Sequence, residues 1–213
     1  MVVEIVLCHK IYCMNHTTTI NRRQLMQRLA ALTLGTAVAP AYSFATNNFQ
    51  DPKSIHILSG EGKRGRVGDM AITFKLNKQQ TGGHIGLWES IIQPGELGAP
   101  PHLHTTYDEI CRVIEGSIFI MTGEVVTEVK AGDWHLRPKG MVHTFWNSSD
   151  KPAKTIDISV PGGHEDYMLE LAALFENNNR PKPDDFKMLA EKHDIQYRFD
   201  LLAGIMEKYG VKL

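Results

Sequence analysis

The sequence predicts an all-β barrel or sandwich followed by a short helical tail, and three observations carry that reading. From about Ser54 to Val160, short runs rich in Val, Ile, Thr and aromatic residues recur, each bounded by Gly, Pro, Asn or Asp. No helical period interrupts them, so the strands pair with one another in a sandwich or closed barrel. After Pro161-Gly162-Gly163 the period changes to that of helices.

Taken in order, Ile55–Leu58, Ala71–Leu76, Ile85–Gln93, Glu109–Ile114, Ser117–Met121, Val125–Lys130, Trp134–Arg137, His143–Asn147 and Thr155–Val160 read as strands. In the tail, Tyr167, Met168, Leu171, Leu174 and Phe175 repeat at helical spacing behind Glu165 and Asp166, which suit a helix N-terminus. Asp184 to His193 and Asp200 to Tyr209 read as further helices, the last closed by Lys208 and Gly210. So short a tail cannot bury a core of its own; it packs on the barrel or on a second subunit, and a homodimer is expected. Two motifs mislead. Gly60-Glu-Gly62-Lys-Arg-Gly65 matches a dinucleotide-binding fingerprint but precedes a strand-like run instead of a helix, so it reads as a solvated turn. Asn147-Ser148-Ser149 matches a glycosylation site and reads as a turn.

The 213 residues suit one domain with an appendage, divided as an N-terminal export signal over 1–45, a barrel over 46–163 and a tail over 164–213. Arg22-Arg23, the apolar run Leu29 to Ala39, and Ser43 and Ala45 make the three parts of an export signal, too short to span a bilayer. The paired arginines resemble the twin-arginine signal, but Asn21, Leu25, Met26 and Gln27 depart from its usual residues, so the general secretory route stays open. Met14 is the expected start of that signal, and a periplasmic or otherwise exported chain, cut near Ala45, is the expectation. With Cys8 and Cys13 removed, Cys111 is the one cysteine left, so no internal disulfide is expected. A net charge of −1 gives no bulk attraction to nucleic acid, and no stable membrane insertion is expected after cleavage.

The chemistry concentrates in two segments. In Gly98-Ala-Pro100-Pro101-His102-Leu103-His104, the two histidines alternate on a strand and offer their imidazoles to one point. Glu109 has the opposite parity, so the chain must turn at Thr105–Asp108 and re-enter before its carboxylate aims inward. In Gly132-Asp133-Trp-His-Leu-Arg-Pro138-Lys-Gly140-Met-Val-His143, glycine and proline set a tight turn before the strand that presents His143. Neutral nitrogens beside an anionic oxygen suit a divalent first-row metal.

These two segments resemble the cupin motifs H-x-H-x(3,4)-E-x(6)-G, closed here by Gly116, and G-x(5)-P-x-G-x(2)-H-x(3)-N, closed by Asn147. One position departs: Glu96 stands where the first motif normally has a glycine. The resemblance implies a double-stranded β-helix, a jelly-roll barrel, holding one divalent transition metal per chain (Fe, Mn, Ni, Co, Cu or Zn) through His102, His104, Glu109 and His143. Thr81-Gly82-Gly83 and the tail add a looser similarity to small single-domain cupins related to quercetin dioxygenase. That similarity implies an oxygenase acting on a small aromatic or enolic compound, with Glu109 as both ligand and catalytic base. A metal-dependent isomerase or lyase, a non-catalytic cupin that binds a sugar or small acid, and a structural or storage role are the alternatives. Cys111 and Phe145 share parity with the ligands and are expected on the inward face, Cys111 as an apolar filler. His135 reads as structural or surface. His56, His84, His164 and His193 have no partner in the sequence and receive no role.

Overall fold

The computed structural model describes residues 53–176 and 181–213; the expected export signal lies outside them. Among the described residues, eleven strands and three helices follow in chain order: β1 (Lys63–Val67), β2 (Met70–Leu76), β3 (Gly86–Ile92), β4 (His102–Leu103), β5 (Asp108–Glu115), β6 (Ser117–Thr122), β7 (Val125–Lys130), β8 (Trp134–Arg137), β9 (His143–Trp146), β10 (Ala153–Val160), α1 (His164–Leu174), α2 (Pro183–Lys192), β11 (Gln196–Tyr197) and α3 (Phe199–Tyr209). The strands form two antiparallel sheets, ordered β1-β2-β3-β10-β5-β8 and β11-β4-β9-β6-β7.

Alternation sets what each strand buries. Met70, Ile72 and Phe74 of β2, Trp88 and Ile92 of β3, Cys111 and Val113 of β5, and Ile118 and Ile120 of β6 make the interior. Chain reversal from β5 into β6, which lie in different sheets, turns at Gly116. Its φ of 74° favours glycine, and a Cβ there would meet the Pro152 carbonyl oxygen at 3.0 Å and the Ala153 Cα at 3.1 Å.

Two expectations are corrected. Ile55–Leu58 is not a strand: Ile55 and Leu58 are exposed, with no strand paired to them among the described residues. The first strand among the described residues is instead β1, which begins within the stretch expected to be a solvated turn. It pairs with β2 from Lys63↔Phe74 to Val67↔Met70. Lys63, Arg64 and Arg66 are exposed on this edge strand, where charge discourages pairing with another chain. Asn147, the apparent glycosylation site, is buried. Its amide donates to the Ile92 and Lys151 carbonyls, and its Oδ1 accepts from Ser149, which makes it the scaffold of a turn.

The tail packs on its own barrel. α1 lies against β1 and β3, close enough that a Cβ on Gly65 would meet the Ala172 Cβ at 2.9 Å. β11 adds to the edge of β4, pairing Tyr197 with His102. α3 covers Leu97 and Trp146 with Ile205, and its C-cap Gly210 adopts the left-handed conformation that ends helices. The Lys212 carbonyl then accepts from Leu97 N–H at 2.8 Å. The tail buries Tyr167, Met168, Leu171 and Ile205 within the chain, while Met188, Phe199 and Leu213 remain exposed. Among the described residues no helix is long and apolar enough to cross a membrane.

Candidate metal centre

β4 and β5 belong to opposite sheets, so the bend at Thr105–Tyr107 carries the chain from one to the other. That crossing resolves the parity problem: His102 and His104 reach the interior from one side and Glu109 from the other. His143 lies on β9, paired with His102. The coordinating atoms of His102, His104 and His143 all lie within 4.8 Å of one another, and all three residues are buried. At about 2.1 Å per bond, two ligands of one ion stand at most about 4.2 Å apart, so small ring shifts close such a shell. Glu109 Oε2 faces the same point, 3.5 Å from His143 Nε2 and 4.0 Å from His104 Nε2.

The tautomers show why a cation fits here. Nδ1 of His102 lies 2.8 Å from the Pro100 carbonyl and Nδ1 of His143 lies 2.9 Å from that of Met141. A carbonyl only accepts, so in both rings Nδ1 carries the proton and Nε2 presents a bare lone pair. His143 Nε2 and both ring nitrogens of His104 are buried without a hydrogen-bond partner. Burial, reinforced by His143, holds the His102 pKa well below its ordinary value, and burial lowers that of His104, so both rings are neutral and ready as ligands. Bare nitrogens and a carboxylate oxygen turned toward one point repel one another, and a divalent cation between them removes the conflict.

Sequence reading missed the polar shell behind these ligands. Arg137, opposite Glu109 in the β5–β8 pairing, contacts Glu109 Oε2 at 3.2 Å and donates to Asp157 Oδ1 at 2.5 Å. Asp157 also accepts from Thr155 at 2.8 Å. His164, which opens α1 just after Gly162-Gly163, places Nε2 3.0 Å from Glu109 Oε1 and Nδ1 2.6 Å from the Tyr107 hydroxyl. Burial raises the Glu109 pKa, but the Arg137 guanidinium, with the His164 imidazole beside it, outweighs it and holds the carboxyl well below its usual range. Burial lowers the His164 pKa to about 4. Burial also raises that of Asp157 against the pull of Arg137.

A cavity of about 640 Å³ opens onto this shell. His102, Glu109, Arg137, Asp157 and His164 line its polar part, and Trp88, Phe145, Tyr167, Met168, Phe186 and Tyr197 its apolar walls. Phe145 therefore sits where alternation from His143 put it. Gly98 leaves room for that ring, since a Cβ there would collide with it. Cys111 is wholly buried, as expected of a filler, with its thiol pushed up by burial. His135 is partly exposed on β8.

Residues 88–159 match the family model described as a cupin domain. This stretch of the barrel is similar to a cupin domain. The match runs from β3 to β10 and takes in both metal-ligand segments. Among curated proteins, the chain is similar to germin-like protein subfamily 2 member 3 of Arabidopsis thaliana, 34% identical over 100 residues. A second member from the same plant, subfamily 2 member 1, is 33% identical over 100 residues. Each match covers 43% of this chain and 43% of the relative, so the chain spans less than half the length of these curated relatives. Among solved structures, a cupin-superfamily sugar phosphate isomerase from Silicibacter pomeroyi is 18% identical with a TM-score of 0.44, covering 50% of this chain and 75% of that one. A protein described as a predicted oxalate decarboxylase from Thermotoga maritima is 17% identical with a TM-score of 0.48, covering 50% of this chain and 99% of that one.

Proposed function

We propose that the protein is a metal-dependent oxygenase of small aromatic or enolic compounds, with His102, His104, Glu109 and His143 as the ligands of one divalent transition metal. The observation that carries this reading is the junction of two surfaces: bare imidazole nitrogens and an ionised carboxylate meet a cavity of about 640 Å³ with aromatic side chains in its apolar walls. Trp88, Phe145 and Tyr167 offer flat apolar walls to a ring and exclude water from it. When bound, the metal supplies the charge that stabilises an ionised substrate oxygen and the redox capacity that dioxygen chemistry requires. Glu109 accepts the hydroxyl proton of the substrate in this reading. The charges that keep it ionised also weaken it as a base, so its role as ligand comes first.

Oxygen uptake by the metal-loaded protein across a panel of enols, catechols and flavonoids tests the proposal. Uptake coupled to substrate loss, abolished in Glu109→Gln, supports it. One observation favours a second reading: the Arg137–Asp157 pair on the cavity wall suits a polar acid, and an isomerase or lyase acting on one would turn over without O2. Turnover under argon would replace the oxygenase with that reading, and saturable binding without turnover would leave a binding cupin. The proposal includes export to the periplasm with a mature chain beginning near Thr46. Intact mass of the envelope-fraction protein tests it, and a retained Arg22-Arg23 segment in soluble exported chain would refute it.

A further inference from the structure

We infer that His164 is a positioning residue that holds Glu109 to ligation through one oxygen, which keeps a coordination position free for substrate. The inference rests on the metal reading above and assigns a role to a side chain outside both cupin motifs. The two carboxylate oxygens of Glu109 face different partners. Oε2 is turned toward the imidazoles of His143 and His104, at 3.5 and 4.0 Å, with Arg137 at 3.2 Å on its other flank. Oε1 is turned away and lies 3.0 Å from His164 Nε2. A carboxylate only accepts, so that nitrogen donates to it.

The ring of His164 is fixed at both ends and on its faces. Its Nδ1 is bonded to the Tyr107 hydroxyl at 2.6 Å, so it cannot rotate without losing two buried hydrogen bonds. Trp88, Tyr107 and Tyr167 pack around it with ring centroids 5.4, 5.2 and 5.3 Å away, and the residue is 5% exposed. Its backbone is set by Gly162, where a Cβ would meet the Ile85 carbonyl carbon at 2.7 Å. An unrestrained carboxylate readily chelates a divalent ion with both oxygens and takes two positions. Occupying Oε1 with a rigid N–H donor prevents this. On a six-coordinate ion, four single-atom protein ligands then leave about two positions open instead of one.

The probe is Mn2+, titrated into the full chain, with water-proton relaxation per bound ion reporting the exchangeable waters. Wild type and His164→Gln, whose longer amide can still donate to Oε1, are expected to give the same relaxation. His164→Phe, which fills the space without a donor, is expected to give about two-fold less as one of two waters is lost. His164→Asn, too short to reach Oε1, reads the same loss should the Phe variant fail to fold. On a Glu109→Gln background neither replacement should change the signal. Wild-type relaxation in a folded His164→Phe or His164→Asn chain would overturn the inference, as would the same loss on the Glu109→Gln background. A wild-type chain that binds no divalent metal would instead overturn the metal reading, and the inference with it.

Discussion

On one face of β9, His143 joins the histidine cluster and Phe145 lines the cavity; on the other, Trp146 lies beneath the C-terminal segment and Thr144 is also buried. Both faces are shielded from water, but they are held differently. Trp146 packs with Leu97, Ile205 and Val211, with Tyr209 at 4.4 Å and Phe119 at 6.0 Å between ring centroids. Thr144 closes that side by donating to the Ala99 carbonyl at 2.6 Å. The Trp146 indole nitrogen lacks a partner, yet it stands alone there, whereas His143 Nε2 joins other unsatisfied groups that converge. One face of the strand is built for packing and the other is left incomplete, and the incompleteness has the geometry of a ligand shell.

The sharpest way to break that comparison is to truncate each face in turn. Trp146→Ala should lower the unfolding free energy by about 3–5 kcal/mol, because a large buried ring leaves a cavity, while metal bound per folded chain stays unchanged. His143→Ala in the metal-free protein should cost about 1 kcal/mol or less, since the lost contacts are offset by removing an unpaired buried nitrogen. Urea denaturation of both variants is the measurement, and equal losses would show that the two faces are held alike.

Glu96 sharpens the boundary between the regions with a smaller effect. It lines the cavity while its neighbour Leu97 belongs to the apolar cluster, and its carboxylate accepts from Gln93 N–H at 2.7 Å. Burial raises its pKa from 4.5 to about 7. Between those two values the folded chain holds a proton that the unfolded chain has lost, so stability falls as pH rises through this window. Glu96→Gln should match wild type below pH 4.5 and be more stable above pH 7, by on the order of 1 kcal/mol after solvent screening. Thermal melts across that range check it, and a gap that is the same at every pH would contradict the burial argument.

How far the site was legible in the sequence follows from the reach of each interaction. His102, His104 and His143 were legible because alternation along a strand and a Gly/Pro turn are local signals. Glu109 was legible through the bend that its parity demanded. Arg137, Asp157 and His164 were not, because what makes them part of the site is contact between segments far apart in the chain. β10 does carry a local sign: it buries Thr155, Asp157 and Ser159 and turns Ile156 and Ile158 to the less buried side. Such inverted alternation marks an interior that is polar by need. β1 escaped notice because its alternation is written in charge, and Ile55–Leu58 misled because apolar β-formers make a strand only where a partner exists.

The central claim is that the incomplete face of β9 and its neighbours hold one divalent metal. Elemental analysis of chain purified from its native compartment, beside His102→Ala and His143→Ala, tests it most directly. The account predicts close to one transition-metal ion per wild-type chain and at least a ten-fold loss in each variant, with both variants still folded. Metal content unchanged in both variants, or a folded wild-type chain that takes up none of Fe, Mn, Ni, Co, Cu and Zn, would contradict it.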